Sequence, residues 1–199
     1  WPHDAHCCVP VAALAHGAKA VIPAASTEEA LRLAQTIGSE DLLLAGERNC
    51  VTIPGFQLGN SPLEMREATV RGKTLIVSTT NGTKALLACM GAAAVYPTAA
   101  VNLTLAAERA SEAIANDGEL LIVCAGRDGG FALDDAYCAG RLIAAALGSR
   151  KPHRALNDAG LASLDLVRRD GDRWERPLTY SRGGRELMRL GCRDDVLDA

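Results

Sequence analysis

Five stretches combine residue types that handle phosphate-like anions or bind hard cations. The segment "VSTTNGTKAL" (77–86) sets Ser78, Thr79, Thr80, Asn81, Gly82 and Thr83 between an apolar run and a pattern with helical spacing. Hydroxyls and backbone N–H groups gathered at a helix start suit a phosphate or sulfonate, although Thr and Asn also cap ordinary helices. The Walker spacing is absent. In "GERN" (46–49) Glu47 precedes Arg48, a carboxylate for a divalent cation or a proton beside a guanidinium for an anion, or else a surface ion pair. The turn "GNSPLE" (59–64) presents Asn60 and Ser61 ahead of Pro62. "CAGRDGGFALDD" (124–135) flanks Arg127 and Asp128 with glycines and then opens a helix on Asp134 and Asp135. Adjacent acids there complement the helix dipole, and they equally supply the oxygen ligands that Mg²⁺ prefers. In "SRGGREL" (181–187), Arg182 and Arg185 either present guanidinium forks to anionic groups or begin a solvated helix.

Other chemistries are less well supplied. Cys124 lacks the C-x₅-R loop of a cysteine phosphatase, because Gly130 stands where the arginine is required. No Ser-His-Asp order stands out. His3, His6, Cys7 and Cys8 read as a frayed terminus rather than a metal site.

The elements that must position these residues are short apolar runs alternating with Ala/Leu-rich helical stretches. The runs 20–23, 42–44, 74–78, 93–96 and 120–124 are apolar throughout, as strands covered on both faces are. Helices are predicted over 27–38, 83–90, 103–116 and 133–147, with Ser26 as a cap, Glu28 and Glu29 in the first turn, and Gly38 and Gly148 as stops. Such alternation predicts an α/β layered fold with a largely parallel sheet. The loops after 42–44, 74–78, 93–96 and 120–124 then open on one edge, where ligands bind. Residues 150–199 read as an appended helical lobe of one domain spanning 1–199, with 168–172 an exposed turn.

Composition bounds the partners. The 199 residues carry 24 acidic and 21 basic side chains, a net of −3, so no excess of positive charge invites nucleic acid or a membrane surface. No apolar run reaches the ~18 residues of a membrane span, and seven cysteines without a C-x-x-C pair fit thiols in a reducing cytoplasm. The Ala-rich stretches 103–116 and 133–147 pack within one chain or across a homodimer. The chain opens on Trp1, so a longer gene product is expected.

Taken together, "GAKAVIPAAS" (17–26), "LLAGER" (43–48), "GFQLGNSPLE" (55–64), "GKTLIVSTTNGTKAL" (72–86), "LLIVCAGRDGGFALDD" (120–135) and "SRGGRELMRLG" (181–191) resemble the 2-phosphosulfolactate phosphatase (ComB) family in order and spacing. The resemblance implies a three-layer α/β/α fold with a largely parallel, mixed sheet and a Mg²⁺-dependent phosphatase. The implied reaction converts 2-phospho-3-sulfolactate to 3-sulfolactate and phosphate, a step toward coenzyme M. Rival readings are a phosphatase of another small phosphorylated acid, or a non-catalytic anion-binding relative. On the matched positions, Glu47, Thr80, Asn81 and Asp128 are candidate catalytic residues. Asn60, Ser61, Thr79, Gly82, Thr83, Arg127 and Arg182 are candidate substrate ligands. Glu47, Asp134 and Asp135 are candidate metal ligands. The chain departs from the family pattern near Val9-Pro10, where about a dozen residues bearing an acid and an arginine are expected, and it stops early after Asp194-Asp195-Val196.

Overall fold

A computed structural model describes residues 8–116, 118–150 and 156–191. They fall into two compact units, one within Ala5–Pro97 and the other within Thr98–Ala199. His3, His6 and Cys7 lie outside the described residues.

The first unit is built on strands β1 (Ala20–Pro23), β2 (Leu42–Arg48), β3 (Val51–Thr52) and β4 (Thr74–Ser78) in the order β1-β4-β2-β3. β4 pairs parallel with both β1 and β2, and β3 closes the edge antiparallel to β2. Side chains alternate across this sheet. Leu75 and Val77 of β4 pack with Val9, Ala13, Met65 and Val70, which belong to or flank helices α1 (Cys8–Ala15) and α3 (Glu67–Val70). Ile76 and Leu44 face the other way, onto Ala30 of α2 (Thr27–Ile37), together with Ile53 and Phe56. Helices therefore cover both faces, the three-layer arrangement expected. Each fully buried aliphatic side chain at the centre of β4 contributes about 1.5–3 kcal/mol. Ser26 caps α2 by accepting from Glu29 N–H at 3.1 Å, and Gly38 ends it in the left-handed region. Val9 and Pro10 sit inside α1, where a first-turn proline forfeits no helical hydrogen bond.

The second unit is helical: α5 (Leu103–Ala115), α6 (Leu133–Leu147), α7 (Asp158–Asp170), α8 (Glu175–Tyr180) and α9 (Arg182–Arg189). Alanines of α5 meet Leu142 and Ala146 of α6, and Ile143 and Leu147 of α6 meet Leu164 of α7. A Cβ on Gly140 would come 2.1 Å from Ser163 O, so only glycine lets α6 and α7 approach so closely.

Three expectations need correction. The runs 93–96 and 120–124 form no strand; Tyr96 is 60% exposed and Leu121 82% exposed, and no neighbouring strand accepts their backbone hydrogen bonds. Strand β2 runs to Arg48, four residues past the predicted end, because β3 folds back on it. The segment 168–172 is no simple exposed turn, since Asp170 is fully buried at the end of α7. Its Oδ2 accepts from Arg169 Nη2 at 2.6 Å, and Arg176 Nη1 stands 3.5 Å from Oδ1. The Arg169 guanidinium holds this carboxyl below its ordinary range.

Candidate functional site

Two of the loops expected at one sheet edge meet in the first unit. β2 delivers Glu47 and Arg48 beside the end of β4, with Gly46 in register with Ser78. A Cβ at residue 46 would lie 2.1 Å from Ser78 O, so the absence of a side chain permits this approach. Beyond Arg48 the chain reverses through Asn49 and Cys50, both at positive φ (54° and 62°), which is the type I′ geometry of a two-residue hairpin.

That reversal aims donors at the buried Glu47 carboxylate. Glu47 Oε2 accepts from Cys50 N–H at 2.9 Å and from Thr80 Oγ1 at 3.1 Å, and Oε1 accepts from Thr80 N–H at 2.8 Å. Of roughly four lone-pair positions on a carboxylate, three are therefore taken. Arg48 grips the same strand end: Nη1 donates to Ser78 O at 3.1 Å, and Nη2 to Ser78 Oγ at 2.8 Å. Consecutive residues of β2 thus hold residues 78 and 80. Read from sequence as an anion clamp, Arg48 spends these bonds on its own chain.

The 79–83 loop is similarly self-satisfied. Thr79 Oγ1 accepts from Thr83 N–H at 3.1 Å, while Thr83 Oγ1 accepts from Thr79 N–H at 3.2 Å and donates to Thr79 O at 3.1 Å. Thr79, Gly82 and Thr83 are buried, with Asn81 at the cap position of α4 (Gly82–Ala88). Donors that the sequence offers to an anion are here used to shape the turn. Asn60 and Ser61 begin at the same end of β2: a Cβ on Gly59 would fall 2.6 Å from Thr52 Oγ1, and Thr52 is the register partner of Glu47. Ser61 Oγ accepts from Leu63 N–H at 3.3 Å and so caps a short 3₁₀ turn, Pro62–Glu64.

The other candidates gather in the second unit. Arg127 and Gly130 exchange backbone hydrogen bonds of 3.1 and 2.9 Å around Asp128 and Gly129, both at positive φ, another type I′ turn. Asp135 Oδ2 accepts from Gly126 N–H at 2.6 Å and anchors this turn to the start of α6. Arg182, first residue of α9, reaches Asp128 at 3.3 Å in an exposed ion pair. Arg185 instead turns back to the Tyr180 carbonyl. Asp134 faces α9: its Oδ2 lies 3.1 Å from the hydroxyl of Ser181, a residue absent from the sequence-based set. Its Oδ1 is buried and has no hydrogen-bond partner among the described residues.

That orphaned oxygen bears on a metal ion. A carboxylate oxygen out of water and without a donor is costly, and a hard cation answers it. Among the described residues no group of three or more His, Cys, Asp or Glu side chains converges. Mg²⁺ does not ask for one, since it is commonly held by one or two carboxylates with waters and substrate phosphate completing the shell. Asp134 fits such a site with a whole unclaimed oxygen, and Glu47 retains one lone-pair position. Asp135 has given one oxygen to Gly126.

A family model described as 2-phosphosulpholactate phosphatase matches residues 7–198. A Symbiobacterium thermophilum protein named "Probable 2-phosphosulfolactate phosphatase" is 40% identical over 185 residues, covering 93% of this chain and 78% of its own. One of the same name from Deinococcus radiodurans is 39% identical over 188 residues, with 94% and 75% covered. A third, from Clostridium acetobutylicum, is 34% identical over 183 residues, with 92% and 75% covered. Similarity spanning both units at this level shows that the chain belongs to the 2-phosphosulpholactate phosphatase family.

Proposed function

We propose that the chain hydrolyses 2-phospho-3-sulfolactate to 3-sulfolactate and phosphate with Mg²⁺ as its cofactor, a reaction of the kind used on the way to coenzyme M. The family makes it a phosphoric monoester hydrolase, and the names of its relatives supply the substrate. One atom of this chain supports the metal-assisted mechanism: Asp134 Oδ1, a buried anionic oxygen with no donor among the described residues.

In this reading Asp134 would hold Mg²⁺, which would supply positive charge to the phosphate oxygens. The protein's own groups bind and orient. Arg127 and Arg182 stand beside Asp134 and Asp128 and offer guanidinium groups to phosphate, sulfonate or carboxylate. Asp128 in the helical unit and Glu47 in the sheet unit are each proposed as a carboxylate that exchanges protons during hydrolysis. Glu47 also fixes Thr80 and with it the turn that carries Asn81, the anion contact proposed from this loop, and such preorganisation lowers the barrier. Asn60 and Ser61 contribute further polar contacts from the end of β2.

The test is phosphate release from phosphosulfolactate by the full-length protein, with Mg²⁺ or with EDTA, beside phosphoglycolate, phospholactate and p-nitrophenyl phosphate. The expected result is Mg²⁺-dependent release that favours phosphosulfolactate. Release from the other phosphates alone would replace the substrate. No release from any of them would replace the enzyme reading with an anion-binding one.

No helix among the described residues is long and apolar enough to cross a membrane.

A further inference from the structure

Asp134 and Asp135 are neighbours on the first turn of α6, where consecutive side chains project about 100° apart. Their surroundings divide the work. Asp135 is bound to the Gly126 backbone and fixes a loop. Asp134 Oδ2 meets one hydroxyl, that of Ser181, and Oδ1 meets no donor.

Ser181 is 2% exposed and sits at the junction of α8 and α9. Its Oγ accepts from Gly184 N–H at 2.8 Å, which caps α9 and fixes where the oxygen lies. The one hydroxyl proton then has two acceptors within reach, Leu178 O at 2.9 Å and Asp134 Oδ2 at 3.1 Å. A carboxylate is the stronger acceptor. Gly183 leaves the approach open, since a Cβ there would stand 3.2 Å from Asp134 Oδ2 and 3.5 Å from Arg127 Nη1.

We propose that Ser181 is the positioning residue of a divalent-cation site at Asp134: it holds Oδ2 from one side so that Oδ1 is presented to the ion. The inference rests on the Mg²⁺ reading above and deepens it. Partners that orient a metal ligand in this way typically carry about 10- to 100-fold in metal affinity.

Mn²⁺ serves as a spin-active probe in place of Mg²⁺, titrated into the full-length protein without substrate and followed by the electron paramagnetic resonance of the free ion. The wild type should bind Mn²⁺, Asp134→Asn should abolish binding, and Ser181→Ala should weaken it about 10- to 100-fold. Ser181→Thr, which restores the hydroxyl, should recover most of the affinity. If Ser181→Ala fails to fold, Ser181→Gly removes the hydroxyl while glycine still serves as a helix cap. A control for capping alone is Asn157→Ala, which removes the side chain that accepts from Gly160 N–H at 2.9 Å at the start of α7. It should lower the melting temperature and leave Mn²⁺ affinity unchanged. Unchanged affinity in Ser181→Ala or Ser181→Gly, with Asp134→Asn still abolishing binding, would overturn the role of Ser181 alone. Unchanged affinity in Asp134→Asn, or no binding by the wild type, would overturn the metal reading and this inference together.

Discussion

Glu47 is buried and Asp134 has one buried oxygen, yet the chain treats the two carboxylates in opposite ways. Glu47 receives three donors from its own hairpin turn and from Thr80, and its neighbour Arg48 ties down Ser78. Asp134 receives one hydroxyl on one oxygen and nothing on the other. Asp170 shows what a structural version of the Asp134 arrangement requires. Its Oδ1 also lacks a hydrogen bond, but Arg176 stands 3.5 Å away and Arg169 is bound to Oδ2. A carboxylate kept for stability has both oxygens met by donors or cations of its own chain, as in Glu47 and Asp170, whereas Asp134 has one oxygen left short. Glu47 therefore reads first as scaffold, and Asp134 as a receptor.

The largest expected effect separates the two. Asp134→Asn should reduce Mg²⁺-dependent phosphate release by about 10²- to 10³-fold, the scale of losing one preorganised electrostatic contact, with little change in the urea midpoint. Equal activity would remove Asp134 from the chemistry and break the contrast. Glu47→Ala should do the reverse in stability, costing about 1–3 kcal/mol in urea unfolding because part-buried donors of Thr80 and Cys50 lose their acceptor. An unchanged midpoint would show that the clamp holds nothing.

The Asp170 comparison predicts a pH dependence. Its carboxyl is held below the ordinary range by Arg169, so the ionised form favours folding. That contribution is complete above the unfolded carboxylate value of about 3.9 and is lost as pH falls through the lower folded value. Asp170→Asn should accordingly be destabilised at pH 6, and the gap to wild type should close under acid conditions, checked by urea midpoints across that range. A gap independent of pH would mean that packing rather than charge carries the effect. The smallest change belongs to Asp135→Asn, which keeps an acceptor for Gly126 N–H and removes the charge. About 0.5–1 kcal/mol is expected, and a larger loss of Mn²⁺ binding than of stability would move Asp135 into the receptor class.

Local pattern made part of this legible. The bounds of β1, β4 and α6 follow from apolar runs and helical spacing, and Ser26 and Gly38 announce the ends of α2. Strand β2 reads too short because Glu47 and Arg48 look like loop residues, and only the β3 return makes them strand. The runs 93–96 and 120–124 have strand composition, but pairing depends on a neighbour that composition does not reveal. The bond from Glu47 to Thr80 joins positions 33 apart in the chain, beyond any periodicity. Ser181 did leave a trace, since serine followed by a helical Arg-Gly-Gly-Arg start is a cap signal; its reach across to Asp134 needs the fold. Asp170 was hidden by its charged neighbours, which read as solvated surface and in fact serve as its counter-ions.

The narrow passage between Gly46 and Ser78 also bears on how this protein can vary. With 2.1 Å between a hypothetical Cβ and the Ser78 carbonyl, no side chain enters without parting β2 from β4. Parting them would pull Glu47 away from Thr80 and Arg48 from Ser78 together. In a library randomised at that codon and selected for function, survivors should carry glycine alone, although residue 46 itself does no chemistry.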